Sequence, residues 1–476
     1  MSGNRWVAGI VLATTLSVSV AAADASGGEL EALKRQVYEL TKQLRLLEVK
    51  LENDKATSDA TAKEKAKTTP KVKLDSGGLQ VTSGDDAFQL RIRTRIAHDW
   101  AWFNQNDELK LALGDEQDGT GFRYARLVIQ GKFWDDFSFN SEIDFAGENG
   151  ADSPKFRDVY LQYDGVPYGG EREFSLRMGH FREPFSLEEL TPVVYRTFVE
   201  KSLANVFVPS RNAGIQISDA LLGEPKSERL TWAVGLFKET DDIPSSNDSD
   251  EDQGYQLTMR LTGLPWYKDE GRKLLHLGAA YSHRNPDGAR LPYGTRPESR
   301  LALFRYADPD GARLPRLFRL QDARADTVDL FGGEAALVLG PFSLQGEYMH
   351  SSVDTTFGGT VDYAGYYAQA SYFLTGEHRP YRTDRATFDN PIPNSNFKFK
   401  DGEHGWGAWE ATARYSFVDM NDGPVNGGEH ASYTLGLNWY LNPNFRITWN
   451  YIRNEIDHPL FDGTFDMFLT RFQLEF

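Results

Sequence analysis

Phe468-Leu469-Thr470-Arg471-Phe472-Gln473-Leu474-Glu475-Phe476 closes the chain, and it alternates. Phe468, Thr470, Phe472, Leu474 and Phe476 share one face, while Leu469, Arg471, Gln473 and Glu475 share the other. A period of two is the period of a β-strand. The segments before it repeat the pattern. Phe445, Ile447, Trp449 and Tyr451 stand opposite Arg446, Thr448 and Asn450, and Tyr433, Leu435, Leu437 and Trp439 stand opposite Thr434, Gly436 and Asn438. Trp409 to Phe417 and Phe342 to Tyr348 alternate in the same way. A soluble antiparallel sandwich would alternate too. Here aromatic residues gather at the strand ends and the second face is polar, which describes a lipid-facing band with Trp/Tyr girdles around a wet lumen.

Turn chemistry sets the topology. Trp134-Asp135-Asp136, Gly340-Pro341 and Leu441-Asn442-Pro443-Asn444 are tight links, whereas 99–120, 182–211, 238–253 and 284–324 are long and polar. Strands are predicted near 88–98, 121–133, 137–145, 156–163, 173–181, 212–218, 230–237, 254–262, 273–283, 326–339, 342–352, 362–374, 406–417, 431–440, 445–456 and 465–476. Sixteen is an even number and puts both ends on the short-turn side, as a closed outer-membrane barrel requires. The fold expected is therefore a 16-stranded antiparallel transmembrane β-barrel spanning 74–476. Segment 375–405 is the exception: it lies on the short-turn side yet is long. Side chains cannot fill a barrel of about sixteen strands, so an aqueous channel is expected.

Three N-terminal pieces precede the barrel. Residues 1–23 read as a signal peptide, with Arg5, an apolar run from Trp6 to Val20, and Ala21-Ala22-Ala23 before Asp24. In 29–52, Leu30, Leu33, Val37, Leu40, Leu44, Leu47 and Leu51 are spaced alternately by 3 and 4, the a/d seam of a short coiled coil. An amphipathic helix packed on its own domain would show the same spacing. Residues 53–73 have no apolar period and read as a flexible linker.

Composition removes other functions. The 476 residues contain no Cys, which excludes disulfides and thiolate metal sites. Lys+Arg number 52 against 69 Asp+Glu, a net charge of -17 and the wrong sign for a nucleic-acid partner. The 9 His are scattered and no GxSxG elbow is present, so neither an enzyme nor a cofactor is expected.

Any cationic site must be local. In the first strand Phe88, Leu90, Ile92, Thr94 and Ile96 point one way, so Arg91, Arg93 and Arg95 point into the lumen. Arg126, Lys132 and Arg260 share that inward parity. Guanidinium forks pair with phosphate or carboxylate oxygens, so the column can guide an anion; it can equally brace wall acids such as Glu142, Asp144 and Glu410. Residues 284–324 hold nine Arg, Arg305 among them, and the heptapeptide PDGARLP occurs at both 286–292 and 309–315. Segment 238–253 is acidic, with no calcium-loop spacing.

Several motifs have a familiar form. Phe181 to Leu190 (FREPFSLEEL), Thr197-Phe198-Val199-Glu200, Pro209-Ser210-Arg211-Asn212, Arg296-Pro297-Glu298-Ser299, Gly340 to Tyr348, Gln369 to Tyr381, Gly407 to Tyr415 and Tyr433 to Pro443 resemble the phosphate-selective porin O and P family. The resemblance implies a homotrimeric channel in the Gram-negative outer membrane, in contact with lipid and lipopolysaccharide, with the coiled coil in the periplasm. It also implies a third loop folded inward as a constriction and arginines laddering the lumen. By position that loop is 182–211, which makes Arg196, Lys201, Ser202, Ser210 and Arg211 constriction candidates. The implied solutes are phosphate or pyrophosphate, with a general, weakly selective porin as the alternative. Phosphate-selecting members carry a lysine-rich centre; this loop has one lysine, Lys201, beside Glu188, Glu189 and Glu200.

Overall fold

A computed structural model describes residues 27–146, 154–167, 173–223, 227–240, 254–288, 293–302, 324–400 and 403–476. The expected signal peptide, Arg305 and most of the acidic segment 238–253 lie outside these residues. The chain divides into two compact units, one holding helix α1 (Gly27–Thr68) and the other Lys71–Thr82 with Asp86–Phe476.

Helix α1 covers the heptad segment and leaves its apolar stripe in the open: Leu40, Leu44, Leu47 and Leu51 are all exposed. It then continues through 53–68, which corrects the expectation of an unstructured linker. That stretch lacks an apolar period but is rich in Ala, Lys and Glu, whose backbone preference is helical whether or not a face is buried. Pro70 stops the helix. A hairpin of Lys71–Asp75 and Gly78–Thr82 follows and also replaces part of the expected linker.

Sixteen strands form the barrel: β1 (Phe88–Gln105), β2 (Gly119–Phe133), β3 (Phe137–Asp144), β4 (Lys155–Pro167), β5 (Glu173–Arg182), β6 (Arg211–Leu222), β7 (Leu230–Lys238), β8 (Tyr255–Lys268), β9 (Lys273–Arg284), β10 (Ala325–Leu339), β11 (Phe342–Thr355), β12 (Thr360–Phe373), β13 (Ala408–Asp422), β14 (Val425–Tyr440), β15 (Phe445–His458) and β16 (Phe461–Glu475). Each pairs antiparallel with the next, and β16 closes on β1 from Phe465↔Gln105 to Glu475↔Arg95. Where β16 ends, the hairpin takes over the same edge of β1, with Leu79↔Ile92 and Thr82↔Gln89. The handover is made by Thr94 and Phe476, which exchange backbone hydrogen bonds of 2.6 and 2.9 Å.

The alternation sorts the residues as expected. Leu469, Arg471 and Glu475 are buried inside, while Phe468 and Phe472 are exposed outside. Several strands outrun the sequence expectation at the long-loop end. β13 and β14 meet across a tight turn after Asp422, because the inner face keeps burying Val418 and Met420 while the outward positions have become polar (Asp419, Glu429). Polar outward residues hide the strand period from a reading based on apolar alternation.

Candidate functional site

The interior can be built up from the first strand. Arg91, Arg93 and Arg95 share the inner face of β1, as parity requires, and all three are engaged. Arg91 Nη2 donates to Gln80 Oε1 of the hairpin at 2.6 Å. Arg93 pairs with Glu475, and Arg95 lies 3.1 Å from Glu475 and 3.2 Å from Glu142. Opposite Arg95 in register, Arg126 reaches Glu142 at 2.7 Å and Asp144 at 2.8 Å. Further round the wall Arg157 sits 3.5 Å from Asp144, and Arg211 makes a two-pronged contact with Asp158 at 3.1 and 3.2 Å. Arg182, register partner of Arg211, faces Glu189 at 3.2 Å.

Loop 183–210 folds into the barrel against this patch. Ser186, at φ 70°, starts a short turn of helix, Leu187–Leu190, and its hydroxyl accepts from Glu189 N at 3.1 Å. The backbone N–H groups of Leu187 and Glu188 donate to Glu347 of β11 at 3.0 and 2.7 Å. Irregular backbone away from bulk water needs partners, and wall side chains supply them. Arg471, Arg446 and Arg414 donate to the carbonyls of Val199 (2.5 Å), Arg196 (2.8 Å) and Glu200 (3.1 Å). Asn438 and Gln473 donate to the carbonyls of Thr197 (2.9 Å) and Val194 (2.8 Å), and Asn450 Oδ1 accepts from Val199 N at 2.9 Å. Arg471, 1% exposed, also grips Asp99 through Nε and Nη2 at 2.6 and 2.7 Å and reaches Glu200 at 3.0 Å. Phe185, Leu203 and Phe207 complete the attachment by packing on Val353, Tyr363 and Tyr367.

Within the loop, cations serve acids and carbonyls. Arg196 is buried and donates to the carbonyls of Glu188 and Glu189 at 3.1 and 3.0 Å. Ser202 gives both its N–H and its hydroxyl to Glu188. The carbonyl of Ser210 accepts from Glu183 N at 3.0 Å. Lys201 Nζ lies 2.6 Å from Glu189 Oε2 with its side chain 24% exposed, the most accessible cation among the loop candidates. Burial brings the Lys201 ammonium down to about 8 against the attraction of Glu189. Glu189 is held below the usual carboxylate range: burial opposes this, but Lys201, Arg182 and Arg196 outweigh it.

Two further segments enter, and the sequence reading foresaw neither. Residues 293–302 of the long connection after β9 turn inward. Tyr293 bonds Ser351 at 2.8 Å, and Glu298 is buried on Arg414, Ser416 (2.7 Å) and Thr434 (2.8 Å). From the opposite end, part of segment 374–407 fills the lumen. Phe388 is buried under the Arg379 guanidinium, 3.5 Å from its ring centroid. Arg260 holds Glu334 at 2.6 Å and the Ala386 carbonyl at 3.0 Å, and His276 bridges Glu334 and the Tyr381 hydroxyl. Leu187 of the third loop joins Tyr381, Phe388, Leu264, Leu274 and Val338 in one apolar cluster, so the two intrusions meet.

The structure therefore brings Arg93, Arg95, Arg126, Arg196, Lys201 and Arg211 to one side of the lumen and puts Arg260 with the other intrusion. Lys132 is exposed at the short-turn rim. Arg471, Arg414 and Arg446, which clamp the loop, were passed over, because an inward arginine on a strand does not show which loop it will meet.

Residues 90–476 match the family described as phosphate-selective porin O and P. The chain is 26% identical over 423 residues to Porin O of Pseudomonas aeruginosa, covering 84% of this chain and 91% of that one. It is 26% identical over 383 residues to an uncharacterized protein of Caulobacter vibrioides, covering 79% and 70%. Among solved structures, an anion-selective porin from Comamonas acidovorans superposes with a TM-score of 0.52 at 12% identity, over 82% of this chain and 100% of that one, a likeness of fold. With a closed barrel, an inward third loop and a family match over most of its length, this chain belongs to the phosphate-selective porin O and P family and is an outer-membrane channel rather than an enzyme.

Proposed function

We propose that the channel is passive and prefers anions, with phosphate or pyrophosphate as the leading solute. One observation carries this reading: the patch where β1 to β6 face loop 183–210. Eight cations stand there (Arg93, Arg95, Arg126, Arg157, Arg182, Arg196, Lys201, Arg211) among the five carboxylates they touch (Glu475, Glu142, Asp144, Asp158, Glu189). An excess of positive charge in a narrow, poorly solvated passage raises the local anion concentration whatever the net charge of the chain. Loop 183–210 would form the constriction, with Lys201 its most solute-accessible cation. The match to a family named for phosphate supports the solute class. A homotrimer, with the α1 stripe as a periplasmic coiled coil, belongs to the same proposal; the exposed Leu row supports it.

The alternative, a weakly selective porin, has its own supporting observation: every arginine described in the patch is near a carboxylate or a carbonyl, so the cations partly serve as braces. Reversal potentials in a chloride gradient across a planar bilayer, followed by phosphate titration, separate the two. Anion-selective reversal with block at low phosphate supports the first reading; selectivity that follows bulk mobility, with no block, sinks it. Replacing Arg91, Arg93 and Arg95 together by Ala should lower anion preference. Lys201→Gln, which leaves the wall braces intact, should do the same to a smaller extent.

A further inference from the structure

Segment 374–407 has a second half that turns away from the lumen. Lys398–Lys400 and Glu403–Gly405 form a small hairpin outside the barrel, with Phe399↔His404 in register. It docks on the outer, short-turn end of β13 to β15. There Trp409 stacks on Trp439 (centroids 4.9 Å apart) and lies parallel to Trp449 (6.3 Å), and the Phe397 ring meets Trp439 edge-on at 5.0 Å. Both indole N–H groups of Trp409 and Trp439 donate to one acceptor, the Trp406 carbonyl, at 3.1 and 2.8 Å. The docking is specific. Gly407 sits at φ 68°, where a Cβ would lie 2.3 Å from the Tyr440 carbonyl oxygen, so the chain enters β13 at an angle that glycine allows.

The docked hairpin leaves large side chains outside. Phe399 is 67% and Trp406 62% exposed, and Ile392 just upstream is exposed as well. Strand alternation puts Phe397 and Phe399 on one face and Lys398 and Lys400 on the other, so the hairpin is amphipathic. Aromatic rings flanked by lysines are the composition of a membrane interface, where the ring enters the acyl boundary and the ammonium stays among headgroups. The hairpin is continuous with the lipid-facing tryptophans, and it stands at the end of the barrel that holds both strand termini.

We propose that residues 397–406 are a lipid anchor that inserts Phe399 and Trp406 into the inner leaflet of the outer membrane and sets Lys398 and Lys400 against anionic phospholipid headgroups. The absence of Cys makes the test direct, since one introduced Cys is a unique label site. Spin labels are placed at Phe399→Cys, at the lipid-facing control Leu435→Cys and at the exposed hairpin control Val72→Cys. The full-length protein is reconstituted in phosphatidylethanolamine vesicles with and without phosphatidylglycerol. The anchor predicts that the Phe399→Cys label is accessible to oxygen and shielded from a water-soluble nickel chelate, as at Leu435→Cys, and that adding Lys398→Gln and Lys400→Gln weakens the shielding only where phosphatidylglycerol is present. Chelate access equal to that at Val72→Cys in both vesicles overturns the anchor. Shielding that ignores both phosphatidylglycerol and the lysine changes overturns the headgroup assignment, and points to apolar burial alone. Leu435→Cys reports barrel insertion separately, so failure of the barrel to insert is not mistaken for failure of the anchor.

Discussion

Loop 183–210 and segment 374–407 enter one lumen from opposite ends and are fixed by opposite means. The loop is laced to the wall by charge and amide groups: Arg471, Arg446 and Arg414 on its carbonyls, Asn450 on an N–H, Glu347 on two more. The segment is held by rings, with Phe388 under Arg379 and Tyr381 against His276. The difference teaches that a lumen can hold backbone rigidly in two ways. Where solute passes, polar lacing keeps a wet surface. Where packing suffices, a buried ring does the same work without charge.

If the loop depends on its clamp, Arg471→Ala should have the largest effect. It leaves Asp99 and Glu200 buried without their guanidinium, at a cost of about 3–5 kcal/mol, measurable by urea unfolding in lipid vesicles. Phe388→Ala should cost about 3 kcal/mol by opening a cavity, and should raise current noise in single-channel records without changing the sign of ion selectivity. A reversal in selectivity would break the contrast between the two intrusions. Asn450→Ala strands the Val199 N–H and should cost about 1–2 kcal/mol. The smallest effect concerns pH. Lys201 is charged below about 8 and neutral above it, so raising pH from 7 to 9 removes one positive charge from the loop. Anion preference should fall, on the order of twofold, and Lys201→Gln should abolish that dependence while showing the high-pH value throughout.

Much of the fold was legible because strand parity is local. Phe468 and Phe472 outside with Arg471 and Glu475 inside could be read from nine residues. Parity also put Arg93 and Arg95 inside, but their partner Glu475 is 380 or more residues away, and no local pattern announces that pairing. The inward turn of 293–302 was hidden for a related reason. Arg296-Pro297-Glu298-Ser299 looks like solvated loop chemistry until Arg414, Ser416 and Thr434 are seen around Glu298. Segment 53–68 was misread because a helix built on Ala, Lys and Glu propensity needs no apolar face.

The small hairpin before β1 bears on how the barrel is made. β1 has two neighbours on one edge: nearby residues 79–82 at its start and the distant end of β16 from Arg95 onward. Closing a short loop loses little chain entropy, whereas joining the two ends of a chain this long loses far more. The hairpin and the start of β1 can therefore form as a local unit soon after synthesis, presenting the rest of β1 as an open template. Closure then demands only the last strand, and the Phe476 backbone fits the single step at Thr94 where the early ladder stops. The seam of the finished barrel thus records an order of assembly, with one half of a strand edge satisfied first and the other kept for the end.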